Sequence, residues 1–176
     1  MRMVLAALVI ASFLPVNSVI ASDWSNRSAV NQDVAGATVY YAYTVGKQGH
    51  LFAVVCDDRG LSVDLEMRGT RTEGELVELF WKVDRWSKMT MTGEAFSKEA
   101  NGYFLTFFDA ASRPLSENEE LIRRVSLGSK LRVGYKEGNE LLDKFSLRGS
   151  EQAISQVEEA CDAGLGNAPK EDQPES

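Results

Sequence analysis

Strict alternation of apolar and polar residues constrains this chain more than any other feature. In "LSVDLEM" (61–67), Leu61, Val63, Leu65 and Met67 fall on one side, and Ser62, Asp64 and Glu66 on the other. A period of two is the signature of a strand with one wet face. The preceding "LFAVVC" (51–56) is continuously apolar, and the turn cluster Asp57, Asp58, Arg59, Gly60 joins the two as a hairpin. Six more segments have strand composition: "ATVYYAYTV" (37–45), "ELVELFWKVD" (75–84), "WSKMTMT" (86–92), "GYFLTFF" (102–108), "KLRVGY" (130–135) and "LLDKFSL" (141–147). In the fourth strand, Val77, Leu79, Trp81 and Val83 share a face. Eight short strands with closely spaced turns predict a mainly β, α+β fold, an antiparallel sandwich or barrel rather than strand–helix alternation.

Two segments change period. Ser116 and Glu119 stand in capping-box spacing ahead of the stripe Leu121, Ile122, Val125, and Gly128 stops it, so a short helix is expected at about 117–127. At the far end Ser150 is a candidate cap, with Glu151 in the favourable first turn. Ala153, Ile154, Val157, Ala160 and Cys161 then line one face of a helix at about 151–161, which must pack on the sheet with its cysteine inward.

The N-terminus has the layout of a secretory signal peptide, expected over 1–21: Arg2, an apolar stretch from Met3 to Val16, then Val19 and Ala21 at the −3 and −1 positions. Pro15 and Asn17 interrupt the apolar stretch, which is too short for a spanning helix. The expectation is a protein exported to the periplasm or beyond, and not integral to a membrane. In an oxidising compartment two cysteines are usually partners, so Cys56 and Cys161 are expected to be bonded, closing a loop of about 105 residues. The polar, aperiodic 22–36 is expected to be a flexible lead-in, 37–161 the folded domain, and the Gly-, Pro- and charge-rich 162–176 a disordered acidic tail.

Charge and composition narrow the chemistry. Loss of the leader removes Arg2 and no acid, taking the formal charge of −7 to −8. That balance argues against nucleic acid or anionic lipid as the main partner. One histidine and two bonded cysteines leave no metal site, and Asp57–Asp58 and "ENEE" (117–120) lack the spacing of a calcium loop. No nucleophile elbow, phosphate-binding glycine loop or zinc motif occurs, so no catalytic residue and no cofactor is expected. His50, on the turn "GKQGH", is expected to face solvent. Aromatics are numerous, and most should fill the core. Tyr40–Tyr41 and Phe107–Phe108, however, place neighbours on opposite faces, so one of each pair should look outward as a candidate binding residue.

The stretches "ELFWKVDRWSKMTMTGEAF", "LIRRVSLGSKLRVGYKEG" and "DKFSLRGSEQAISQVEEAC" resemble small periplasmic β-sandwich proteins, among them type VI secretion-associated accessory proteins of the TagO/VasI type. Lys82, Asp84, Trp86 and Ser87 stand in the order of that family's strand motif. Phe145, Ser146, Leu147, Gly149, Ala153, Ile154, Val157, Ala160 and Cys161 match its final strand and helix. The resemblance covers about residues 50–161, and it implies a sandwich closed by a stapled helix. The chain departs from it in lacking a second cysteine pair near the N-terminus and in its extra acidic tail. Two functions follow as expectations: a non-enzymatic module binding another envelope or secreted protein, as an accessory of a secretion or invasion system, or an inhibitor of a cell-wall or proteolytic enzyme such as lysozyme. A hydrolase working through a carboxylate pair is the third.

Overall fold

The structure, a computed structural model, describes residues 23–30, 38–57, 60–69, 71–98, 102–107 and 117–165. These form nine strands: β1 (Ser25–Val30), β2 (Thr38–Val45), β3 (Leu51–Asp57), β4 (Gly60–Arg68), β5 (Leu76–Val83), β6 (Met89–Lys98), β7 (Gly102–Phe107), β8 (Lys130–Tyr135) and β9 (Leu141–Ser146). Helix α1 (Glu117–Leu127) precedes β8, and α2 (Ser150–Leu165) follows β9. The signal peptide expected over 1–21 and the stretch 166–176 lie outside the described residues.

The strands form a single antiparallel sheet in the order β1-β2-β3-β4-β7-β6-β5-β8-β9. β3 and β9 are six places apart, which at about 4.8 Å per strand would separate them by about 29 Å if the sheet were flat. Yet the rings of Phe52 on β3 and Phe145 on β9 are 5.8 Å apart. The sheet is therefore folded over on itself, so its two halves face each other across one core without closing into a barrel. Lys47 donates its amide to the Lys144 carbonyl at 3.3 Å where the two halves approach.

The predicted alternation supplies this core. Phe52, Val54, Val63, Leu65, Leu79, Trp81, Leu105, Phe107, Leu131, Val133 and Phe145 are all buried, as are Leu121, Ile122 and Val125 of α1 and Ala153, Ile154, Val157 and Cys161 of α2. Trp81 lies among Val77, Leu79 and Val83 as expected, edge-on to Phe107 at 4.9 Å. The helices close one end of the fold. There the Cys56–Cys161 disulfide ties α2 to β3, with Cα atoms 5.7 Å apart. The opposite end is closed by Arg71, whose guanidinium donates to the hydroxyls of Tyr103 and Tyr135 at 3.4 and 3.3 Å and pairs with Glu75.

Several expectations need correction. The lead-in 22–36 contains a ninth strand, because Ser25–Val30 pairs with β2 from Ser25↔Tyr43 to Val30↔Thr38. It shows no apolar period because it is held by polar bonds: the Asn26 amide donates to Ala153 O at 2.8 Å and Gln156 Oε1 at 2.9 Å on α2. Trp24, just before it, enters the core, and its indole N–H donates to Ser146 O on β9. Helix α2 continues past Cys161 to Leu165, four residues into the expected tail. Ser150 does not cap it; the buried hydroxyl donates to Val125 O, joining α2 to the last turn of α1.

Candidate functional site

On the outer face of the sheet, β2 and β3 present Val39, Tyr41, Tyr43, Leu51, Ala53 and Val55. In an antiparallel sheet packed on one side, the other face is normally polar. Here it is apolar and aromatic, for a reason written in the chain: "LFAVVC" has no polar residue to turn outward. Arg27 from β1 and Asp64 and Glu66 from β4 complete the rim of a trough of about 430 Å³. Tyr41 and Tyr43 stand two residues apart on one face, their ring centroids 6.0 Å apart. The Arg27 guanidinium lies 5.5 Å from the centre of the Tyr43 ring, within cation–π range. No described element covers this trough.

The structure separates the four candidate aromatics. Tyr41 is the outward member of its pair, half-buried in the trough, while Tyr40 turns inward and packs against the core. Phe107 is buried, so it is not a surface residue; its strand points it at Trp81. Phe108 lies outside the described residues. The expected polarity of the outer face of β4 holds only in part: Ser62 is buried and Asp64 and Glu66 are half-buried. They stand directly across from Val55, Ala53 and Leu51 in the same trough, whose walls shade them. Tyr43, Leu51, Ala53 and Val55 were not among the expected site residues, although the unbroken apolar run of β3 carried a signal for them, since it leaves apolar side chains on both faces. Arg27 had no such signal, since its segment carries no strand period.

His50 does not face solvent as expected. Its Nδ1 lies 3.1 Å from Oδ2 of Asp143, a carboxylate only 2% exposed. Because a carboxylate accepts, Nδ1 is the donating, protonated nitrogen of this contact. Asp143 also accepts from the backbone N–H groups of Gln48 at 3.0 Å, His50 at 3.3 Å and Lys144 at 2.6 Å. These bonds bind the β2–β3 turn to β9, which is a structural task.

One compact group of perturbed titratable residues occurs among the described residues. Hydrogen bonds to Tyr103, then to Tyr135, raise Arg71 above its ordinary value, and burial pushes the Tyr103 hydroxyl up. Both shifts reinforce the states these groups hold at neutral pH, a charged guanidinium and a neutral phenol. The cluster acts as a clamp, not a proton-transfer site. Among the described residues no group of three His, Cys, Asp or Glu could hold a metal ion, and no described helix is long and apolar enough to cross a membrane. Set beside known proteins, the chain matches no family model, and no curated protein or solved structure shows significant similarity to it.

Proposed function

We propose that this is an exported, non-enzymatic module that binds another envelope or secreted protein through the Tyr41–Tyr43 trough. The observation that carries the reading is the apolar outer face of β2 and β3, where an antiparallel sheet ordinarily meets water with polar side chains. Tyrosines give large contact area at little rotamer cost, and such residues anchor interfaces when surrounded by apolar neighbours. The rim adds selectivity. Asp64 and Glu66 favour a partner that brings a basic group beside an apolar anchor, the complement expected of a basic cell-wall enzyme or of a basic segment of envelope machinery.

The test is a pull-down from envelope and secreted fractions, followed by titration of the captured protein with Tyr41→Ala. That substitution is expected to weaken binding by about 2 kcal/mol or more while leaving the melting curve unchanged. Stoichiometric loss of the partner's activity would select the inhibitor role; co-purification with a secretion assembly would select the accessory role. Hydrolysis of a cell-wall glycan by the purified protein, abolished by Glu66→Gln or Asp64→Asn, would overturn the binding reading.

A further inference from the structure

Lys82 on β5 lies directly opposite Arg132 on β8, and Arg132 directly opposite Lys144 on β9. Three cations therefore cross three neighbouring strands on one outer face, within about 10 Å at the usual strand spacing. Like charges placed directly opposite destabilise a sheet, so folding gives no reason for the row. The acids around it are engaged elsewhere. Glu78, further along β5, pairs with Lys136 at 2.7 Å. Asp84 accepts from Ser129 N at 2.7 Å, Ser129 Oγ at 2.9 Å and Lys130 N at 3.0 Å, and Glu120 is held by Arg123 and Arg124. None of the three cations joins an ion pair among the described residues.

At Arg132 the row opens into a cleft of about 720 Å³, walled by Arg85, Trp86, Leu127 and Lys130 together with Ser129 and Asp84, whose carboxylate is held by Ser129 and the Lys130 amide. The cleft is held in shape. Arg124 Nη1 donates to Ser87 O at 3.0 Å, and the Trp86 ring has the guanidinium groups of Arg123 and Arg124 each 5.3 Å from its centre. Leu127 is 62% exposed at the rim.

We propose that this face binds an extended acidic polypeptide segment of a partner protein. In an extended chain every second side chain falls on the same side, about 7 Å apart. Carboxylates at that spacing fall within side-chain reach of Lys82 and Lys144 at the two ends of the row and of Arg132 between them, with an apolar residue against Leu127 and Trp86. A concave cleft suits a chain rather than a flat bilayer. The formal charge of −7 disfavours a long polyanion over the molecule as a whole, which leaves a short acidic segment as the fitting ligand. This surface lies on the other half of the folded sheet from the tyrosine trough, and the inference stands whether or not the trough binds anything.

The test uses the disulfide-bonded protein and a fluorescein-labelled decapeptide of alternating Glu and Ser, followed by fluorescence anisotropy at low and at physiological ionic strength. Saturable binding is expected, weakened by salt. It should fall at least tenfold in Lys82→Ala/Arg132→Ala/Lys144→Ala, and be unchanged in Tyr41→Ala. Arg132→Gln alone, which keeps the strand's side-chain bulk, should show a smaller loss in the same direction if the triple variant does not fold. Absence of binding at low ionic strength, or equal binding by the folded triple variant or by Arg132→Gln, would overturn the proposal. So would tighter binding of polyphosphate or of phosphatidylglycerol vesicles than of the peptide, which would assign the face to phosphate polymers or to lipid.

Discussion

Asp143 sits at an inward position of β9, where its neighbours in register are apolar, and it stays there because four donors surround it. Gly46, at the end of β2, lets that carboxylate reach the turn: a Cβ at position 46 would run into the Asp143 side chain. Gly46→Ala is therefore expected to force the carboxylate away from Gln48 and His50, at a cost of about 1–3 kcal/mol for donors left unsatisfied. Urea unfolding measures it, and a loss below about 0.5 kcal/mol, the range of ordinary surface substitutions, would show that the turn adapts freely. Part of this clamp was legible. Alternation through "LLDKFSL" places Asp143 in the apolar register, a signal that an inward acid needs a partner. The identity of that partner was not legible, since it lies 93 residues earlier on a turn whose own chemistry reads as solvent-facing. Glu120 gives a second residue-scale prediction. Hydrogen bonds from Arg123, then from Arg124, lower its carboxyl from 4.5 to about 2. The folded value lies below the unfolded one, so the stabilisation is present above about pH 4.5 and is lost as pH falls toward 2. Because the side chain is partly exposed, the effect should be small, about 0.3–0.5 kcal/mol, as for other pairs on a helix surface. Glu120→Gln should thus melt slightly earlier than the parent at pH 7, with the gap closing at the acid end of a pH series.

Among the elements, α2 is where local sequence and tertiary structure agree most closely. Its stripe Ala153, Ile154, Val157 and Cys161 is buried as the 3.6 period requires, and the stripe alone was enough to place the helix on the sheet. Its start was harder to read. Gly149, with φ 87°, occupies the turn before the helix and its carbonyl accepts from Ala153 N. The expected cap, Ser150, is drawn instead to the Val125 carbonyl in the last turn of α1, a contact that exists only once the two helices meet. The disulfide fixes the other half of α2 over a separation of 105 residues. Replacing both cysteines by serine is expected to lower stability by up to about 4–5 kcal/mol, the chain-entropy limit for a loop of this length. Chemical denaturation of the oxidised protein and the double variant measures it. A difference under about 1 kcal/mol would mean that the unfolded chain is already compact enough to make the link redundant.

For the whole molecule, the decisive element is the strand with the weakest sequence signal. β1 covers the edge of β2, supplies Arg27 to the trough, and reaches α2 through Asn26. Immediately before it, Trp24 packs edge-on to Phe52 at 5.8 Å and donates to β9, while Asp23 N donates to Arg148 O. The segment thus bridges the two halves of the folded sheet. Sequence period could show that a one-faced sheet must cover its apolar side; it could not show that a polar stretch would be what holds the halves together, because its bonds are to backbone and amide groups far along the chain. Removing residues 22–36 is expected to do more than trim a lead-in. The Phe52 ring loses its cover, two amide bonds to α2 disappear, and β2 becomes an unpaired edge with Tyr41 and Tyr43 beside it. An exposed apolar edge of that kind pairs with other copies. The truncated protein should melt at a lower temperature than the version starting at Ser22, and elute partly as dimers or larger species in size-exclusion chromatography. Trp24→Ala in the longer chain should reproduce the loss of stability, about 3 kcal/mol or more for a buried tryptophan, without the association, because β1 still shields the edge. A truncated protein that stays monomeric with an unchanged melting curve would show that the sheet holds its fold without β1, and that the bridge at Trp24 is incidental.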